Sequence, residues 1–201
     1  PVPGSTAVPG HRRNWSAYGP GWANVSNVPF RRFKKFVHEG GTRTPLIVHY
    51  PGQGRTSAIR RGRVDRQPGH ILDLMPTCLE LAGATLAGAT LAGATLAGAK
   101  SVPLEGQSLV PVFRNEKTAR IPEWGWEHEG NRAYRRGRYK LVSEFPANRW
   151  ELYDLQTDPT ETRDLAGRQP EKTAELRAAY EAWAKRIGVE DWATVRRIKG
   201  T

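Results

Sequence analysis

A chain of 201 residues with a formal net charge of +11 is long enough for one ordinary domain, or for a core with a small appended layer. Hydrophobic residues make up 38% and charged residues 25%, with seven Trp to supply a core, which excludes a disordered chain; 21 Gly and 15 Pro make it loop-rich. The cations are spread along the whole chain with no dense run on one element, so the charge reads as a solvated basic surface that attracts small anions rather than as a nucleic-acid footprint.

The chain opens Pro1-Val-Pro-Gly4, with no initiator Met and no apolar leader, and reads as the start of a fragment. Pro1 to Asn27 is rich in Gly, Pro, Ser and Asn and is expected to be loop. Next comes Phe30-Arg-Arg-Phe-Lys34-Lys-Phe-Val-His38-Glu39-Gly40-Gly41-Thr-Arg-Thr-Pro45, which packs cations, a histidine, a carboxylate and two glycines together. A lysine here can hold an oxyanion as a point charge, and two glycines allow positive φ or close backbone approach. By composition alone Arg31, Arg32, Lys34 and Lys35 cannot be ranked, and a lone His38 is more often structural than catalytic. Leu46-Ile-Val-His-Tyr50, bounded by Pro45 and Pro51-Gly52, is expected to be a short buried strand.

Gln53 to Gln67 reads as a basic loop. The spacing of Ile71, Leu74, Met75, Cys78, Leu79 and Ala82 then predicts a helix over roughly 70–82, with Pro76 delaying or kinking it. Cys78 is the only cysteine, so no intrachain disulfide is possible, and its apolar setting predicts a buried structural thiol. Leu81-Ala-Gly-Ala-Thr85 recurs at 86–90 and 91–95 and ends as Leu96-Ala-Gly-Ala-Lys100. A period of five advances about 500° round a helix, so the leucines build no face. A frayed helical extension is expected, and the glycines and threonines argue against a transmembrane span.

Ser101 to Arg114 is expected to be an extended connector. Glu123 to Glu129, Arg132 to Arg135, Tyr139 to Glu144 and Trp150 to Asp154 read as an antiparallel sheet of about four strands, with a hairpin turn at Arg136-Gly137-Arg138. Asp158-Pro159-Thr-Glu161 is a turn signal. A helix from Pro170 to Ile187, stopped by Gly188, carries a stripe of Leu176, Tyr180, Trp183 and Ile187 that is expected to lie on the sheet. Glu127, His128 and Glu129 do not converge on a metal, because a strand sends His128 to the opposite side. No phosphate-binding loop, Cys/His metal spacing or nucleophile elbow is present.

Several stretches together resemble the later part of a bacterial arylsulfatase. They are Tyr18-Gly-Pro-Gly-Trp22 through Phe30, Lys34 through Pro45, Asp73-Leu-Met-Pro-Thr-Cys-Leu-Glu-Leu-Ala-Gly83, Pro103-Leu-Glu-Gly-Gln-Ser-Leu109, Glu129-Gly-Asn-Arg-Ala133 and Glu151-Leu-Tyr-Asp-Leu155, in the family's order. The resemblance implies the C-terminal portion of an alkaline-phosphatase-like α/β sulfatase fold, with a small antiparallel sheet packed on a C-terminal helix. Residues 1–114 would be the end of the catalytic α/β domain, with the Leu-Ala-Gly-Ala-Thr repeat inserted at 81–100, and 115–201 the small sheet-and-helix subdomain. It implies hydrolysis of a small-molecule sulfate ester by a formylglycine beside a bound calcium. Lys34, five residues before Glu-Gly-Gly, would contact the sulfate; His38, by its residue type alone, reads as a proton donor or a wall of the substrate pocket.

The formylglycine motif Cys/Ser-x-Pro-x-Arg is absent, and no calcium ligand carries over to this chain. The piece alone is therefore expected to be inactive and to need the N-terminal half of the same enzyme as partner, with no nucleic-acid or membrane partner. A phosphate or phosphonate ester hydrolase of the same fold, and a basic polyanion-binding module without catalysis, are the competing readings. The compartment is not legible in the sequence.

Overall fold

A computed structural model describes residues 19–50, 62–83, 95–96, 99–100, 104–116 and 121–200. The chain forms two compact units, one of residues 1–46 with 121–201 and one of residues 47–120.

In the first unit, α1 (Gly19–Ser26) replaces the expected loop at 19–26; Asn27 is in a turn, and residues 1–18 lie outside the described residues. Pro20 suits its first turn, and Asn24 and Ser26 return side-chain bonds to the carbonyls of Pro20 and Trp22 four residues earlier. The single helical turn α2 (Glu39–Thr42) falls on the Glu-Gly-Gly motif. Residues 46–50 are coil, with Leu46, Ile47 and Val48 at 55%, 90% and 47% exposure, so the expected buried strand is not formed. A strand is held by the ladder beside it, and no described segment pairs with this one.

The second unit holds a 3₁₀ turn (Ile71–Asp73) that runs into α3 (Leu74–Leu81), close to the predicted helix. Pro76 sits in the first turn, where a backbone donor is not needed. Asp73, fully buried, accepts from the backbone N–H groups of His70 and Gln107, and Thr77 accepts from that of Leu109. Two of the motif stretches are thus clipped together. Ile71, Met75 and Cys78 are exposed, correcting the expectation of a buried thiol: no element among the described residues of this unit covers that apolar face. Of the repeat, β1 (Thr95–Leu96) and β2 (Ala99–Lys100) pair antiparallel where a frayed helix was expected, and residues 84–94 and 97–98 lie outside the described residues. The connector includes a helical turn, α4 (Val110–Phe113), begun by Pro111.

The first unit continues with β3 (Glu123–His128), β4 (Asn131–Arg136), β5 (Tyr139–Ser143) and β6 (Trp150–Asp154), an antiparallel meander in the order β3-β4-β5-β6. Gly137, at φ 61°, makes the β4–β5 turn. Period two splits β5 cleanly, Leu141 to one face and Lys140 and Val142 to the other. Against the first face lies α5 (Pro170–Ile187), whose Leu176 and Tyr180 bury against Tyr134, Leu141 and Leu152. It ends at Gly188 in the left-handed region, as predicted. α6 (Trp192–Lys199) follows, capped by the Asp191 side chain on the N–H of Thr194; it was not foreseen. Against the second face lies the segment 31–42, anchored by Val37 on Ala133, Val142 and Tyr153. The expected four-stranded sheet with a C-terminal helix is therefore present, and it is covered on both faces. Among the described residues no helix is long and apolar enough to cross a membrane.

Candidate active site

The segment 31–42 is built by close backbone approach. The N–H of Gly40 donates to the carbonyl of Arg31 at 3.1 Å. A Cβ at Gly40 would stand 2.2 Å from that oxygen, and one at Gly41 1.8 Å from the carbonyl of Phe36. The two glycines are thus needed for contact, not for positive φ: α2 folds the chain back onto the loop that carries Lys34.

Lys140 fixes this turn to the sheet. Its side chain is fully buried, and its Nζ donates to Glu39 Oε1 at 2.7 Å and to Thr42 Oγ1 at 3.2 Å. It stands 3.1 Å from Glu161 Oε1, near enough for an ion pair though not aligned as a hydrogen bond. The other oxygen of Glu161 accepts from the N–H of Glu39 at 2.6 Å. Burial, opposed by the Lys140 charge, pushes the Glu161 carboxyl up from its ordinary value. Glu161 also adopts φ 56°, uncommon for a residue with a Cβ. Glu39 also lies 3.8 Å from Arg43, so these groups tie the turn to the sheet, and loss of Lys140 would leave buried negative charge under-paired.

His38 lies beside this network with 1% exposure, and neither ring nitrogen has a hydrogen-bond partner among the described residues. Its Nε2 is 3.9 Å from Glu151 Oε2. Burial first, then the positive charges of Lys140, Arg31 and Arg32, lower its pKa from 6.5 to about 3, so the ring is neutral at pH 7.

The four cations of the loop now separate. Arg31 donates to the Tyr153 hydroxyl at 2.9 Å and to the Glu161 carbonyl at 2.6 Å. Arg32 pairs with Glu144 at 2.8 Å and Lys35 with Glu129 at 3.2 Å. Lys34 is exposed and, among the described residues, has neither a hydrogen bond nor an ion pair. The structure therefore distinguishes what composition could not: three cations hold the loop, and Lys34 is left without a partner among the described residues. His38 is one shell deeper, under the loop.

The second polar cluster of the sequence does structural work. Glu127 accepts from the N–H of Gly130, Glu129 pairs with Lys35, and His128 points to solvent on β3. Among the described residues no group of three His, Cys, Asp or Glu side chains fits a metal ion. Sequence reasoning missed Lys140 and Glu161. The alternation of β5, which puts Lys140 on the same face as Val142, was the available signal for the first. Glu161 lay in a segment that read only as a turn.

A meander sheet with a helix on one face and a cation-bearing Glu-Gly-Gly turn on the other defines the C-terminal part of an α/β sulfatase. Residues 30–185 match the family described as "N-sulphoglucosamine sulphohydrolase, C-terminal", and the chain belongs to that family. A sulfatase of Schizosaccharomyces pombe, itself uncharacterized, is 31% identical over 185 residues, 90% of this chain and 32% of that protein. The N-acetylgalactosamine-6-sulfatase of Canis lupus familiaris is 30% identical over 142 residues, 71% of this chain and 24% of that protein. The solved structure of Ps i-CgsB aligns with a TM-score of 0.57 at 23% identity, covering 79% of this chain and 32% of that one, and shares the fold. The chain spans a third or less of the length of these relatives.

Proposed function

We propose that this chain is the part of a sulfuric ester hydrolase that supplies Lys34 to the sulfate of a small-molecule ester. The observation that carries the reading is the free ammonium of Lys34 in a loop whose other three cations are all engaged. A lysine is a compact point charge, suited to an ester oxygen on which negative charge grows as the sulfur–oxygen bond breaks. The Lys140 network holds the loop in place, and neutral His38 adds no further charge to it. In this reading His38, buried and neutral near pH 7, supports the loop and does not exchange protons with the substrate.

Calcium and formylglycine are what the resemblance implies for an intact enzyme. The described residues do not fit the metal, and Cys78 stands outside the Cys-x-Pro-x-Arg motif, so no step through either is assigned to these residues. The chemistry this chain contributes is binding and charge stabilisation, and turnover requires the N-terminal half of the enzyme as partner.

The test combines turnover and binding in the 201-residue chain. Nitrophenyl sulfate is expected to remain intact with the purified chain, while titration with inorganic sulfate shifts the side-chain NMR signal of Lys34. Hydrolysis by the chain alone that Lys34→Ala abolishes would overturn the assignment of turnover to a missing half. A sulfate titration that leaves Lys34 unmoved would overturn its role.

A further inference from the structure

The segment 31–42 crosses the second face of the sheet as a strap. Its backbone bonds stay within the segment: the N–H of Phe36 donates to Phe33, that of Gly40 to Arg31, and those of Gly41 and Thr42 to His38. Among the described residues no backbone ladder joins it to the strands. Side chains attach it instead: Val37 against the strands, the Lys140 triad, the paired Arg31, Arg32 and Lys35, and Glu161, whose Oε2 accepts from the Glu39 N–H at 2.6 Å. A segment that carries its own bonds can leave the sheet as one piece while the rest stays folded.

His38 lies inside that attachment, its ring nitrogens buried and without a hydrogen-bond partner among the described residues. Charge faces it from every element packed against it. Lys140 approaches from β5, and Arg31 and Arg32 from its own segment, and each opposes a positive ring. From β6 come Glu151, with Oε2 3.9 Å from Nε2, and Tyr153, with its ring centroid 6.5 Å away. Glu151 is already shared: it accepts from the Tyr153 hydroxyl and from Arg149, and it lies 4.0 Å from Arg31. Glu39 and Glu161 are engaged by Lys140. A proton added to this ring would be buried, without an acceptor, among three cations and one shared carboxylate.

We propose that segment 31–42 is an acid-released strap: His38 takes up a proton only when the segment lifts off the sheet, so falling pH opens the loop that carries Lys34 while the strands and α5 stay folded. In the closed form the ring stays neutral down to about pH 3, whereas in the lifted segment it titrates near 6.5. The closed form therefore binds fewer protons; its advantage is complete above pH 6.5 and is lost as pH falls toward 3. Between pH 7 and 5 the opening equilibrium rises about 25-fold. Glu161, whose carboxyl is held up by burial, pulls the other way, and comparing variants at His38 cancels its share. The release stands apart from the sulfate assignment, because it follows from the packing of His38 and its measurement uses no ligand.

Native-state hydrogen exchange on the 201-residue chain tests it, reading the Glu39 N–H, whose acceptor lies across the gap, against the amides of α5. After correction for intrinsic rates, protection of the Glu39 amide from pH 7 to 5 is expected to fall about 25-fold further in the parent than in His38→Phe. His38→Leu, with a smaller uncharged side chain, is expected to match His38→Phe. At pH 5 the Glu39 amide of the parent is expected to open with little dependence on added urea, while the α5 amides open with the steep dependence of global unfolding. If the Glu39 amide instead showed the protection and urea dependence of α5, there would be no local release and the proposal would fall. A pH response shared by the parent and both variants would place the titration on another group and overturn the role of His38.

Discussion

The two faces of the small sheet are held by different physics. Against α5 the buried contacts are apolar, Tyr134, Leu141 and Leu152 of the strands meeting Leu176 and Tyr180 of the helix, and an ion pair between them, Arg136 with Glu175 at 3.1 Å, lies half exposed at the rim. Against segment 31–42 an apolar patch of Val37, Ala133, Val142 and Tyr153 surrounds a buried ion triad, Lys140 with Glu39 and Glu161. Apolar burial is non-directional and tolerates small slides. An ammonium between two carboxylates does not, because leaving one of them unpaired costs several kcal/mol. The helix face is held chiefly by close apolar packing, while the face that carries the Lys34 loop is pinned by the triad as well.

The largest effect that could break this contrast is on Lys140. Lys140→Met removes one cation and leaves the Glu39 and Glu161 carboxylates buried together, a loss expected to be about 3–5 kcal/mol by urea unfolding. Replacing both glutamates by glutamine in the same variant is expected to recover most of that loss. A cost under about 1 kcal/mol for Lys140→Met would mean that the triad is wet and the loop is not pinned by it.

A smaller effect comes from pH and reads the same face through His38. Its folded pKa of about 3 lies below the unfolded value of 6.5, so the unfolded chain binds the extra proton first. The stability contributed by keeping the ring neutral is complete above pH 6.5 and is lost as pH falls toward 3. At pH 5 the loss amounts to about 2 kcal/mol. The raised pKa of Glu161 acts in the opposite direction, since a carboxyl held up by burial is relieved as it protonates. Comparing the parent with His38→Phe isolates the histidine: the variant is expected to lose about 2 kcal/mol less between pH 7 and 5. Parallel pH curves for the two would show that the ring is solvated, and the underside of the loop open.

Much of the helix face was legible and much of the ionic face was not. Pro170 and Gly188 are local signals, and the stripe of Leu176, Tyr180, Trp183 and Ile187 carries the helical period in a short window, though Ile187 in the last turn stays 46% exposed and does not join the sheet. Gly137 likewise announces its hairpin. Lys140 and Glu39 are 101 residues apart, and nothing local to either marks them as partners. A lysine in an alternating strand reads as surface, because lysines are almost never fully buried unless paired. The segment Leu46–Tyr50 fails for a related reason. Its composition is that of a buried strand, but a strand's state depends on its neighbours, which composition cannot supply. The Lys34 loop falls between these cases: the residue could be named by resemblance, but its freedom from partners depends on where Glu129, Glu144 and Tyr153 sit.

The smallest expected effect is the one that distinguishes holding the loop from serving it. Lys34→Ala removes an exposed side chain with no partner among the described residues, so its cost in stability is expected to stay within about 0.5 kcal/mol. Arg32→Ala, by contrast, leaves Glu144 without its 2.8 Å partner and removes the stack of the guanidinium over Phe36, at 4.9 Å from the ring centroid. That pair is partly exposed, so its loss is expected to be modest, about 1 kcal/mol, but larger than that of its neighbour. Urea unfolding of the two variants side by side checks the order. If Lys34→Ala proved the more destabilising, the lysine would be one more strut of the loop, and its charge would no longer be available to a sulfate.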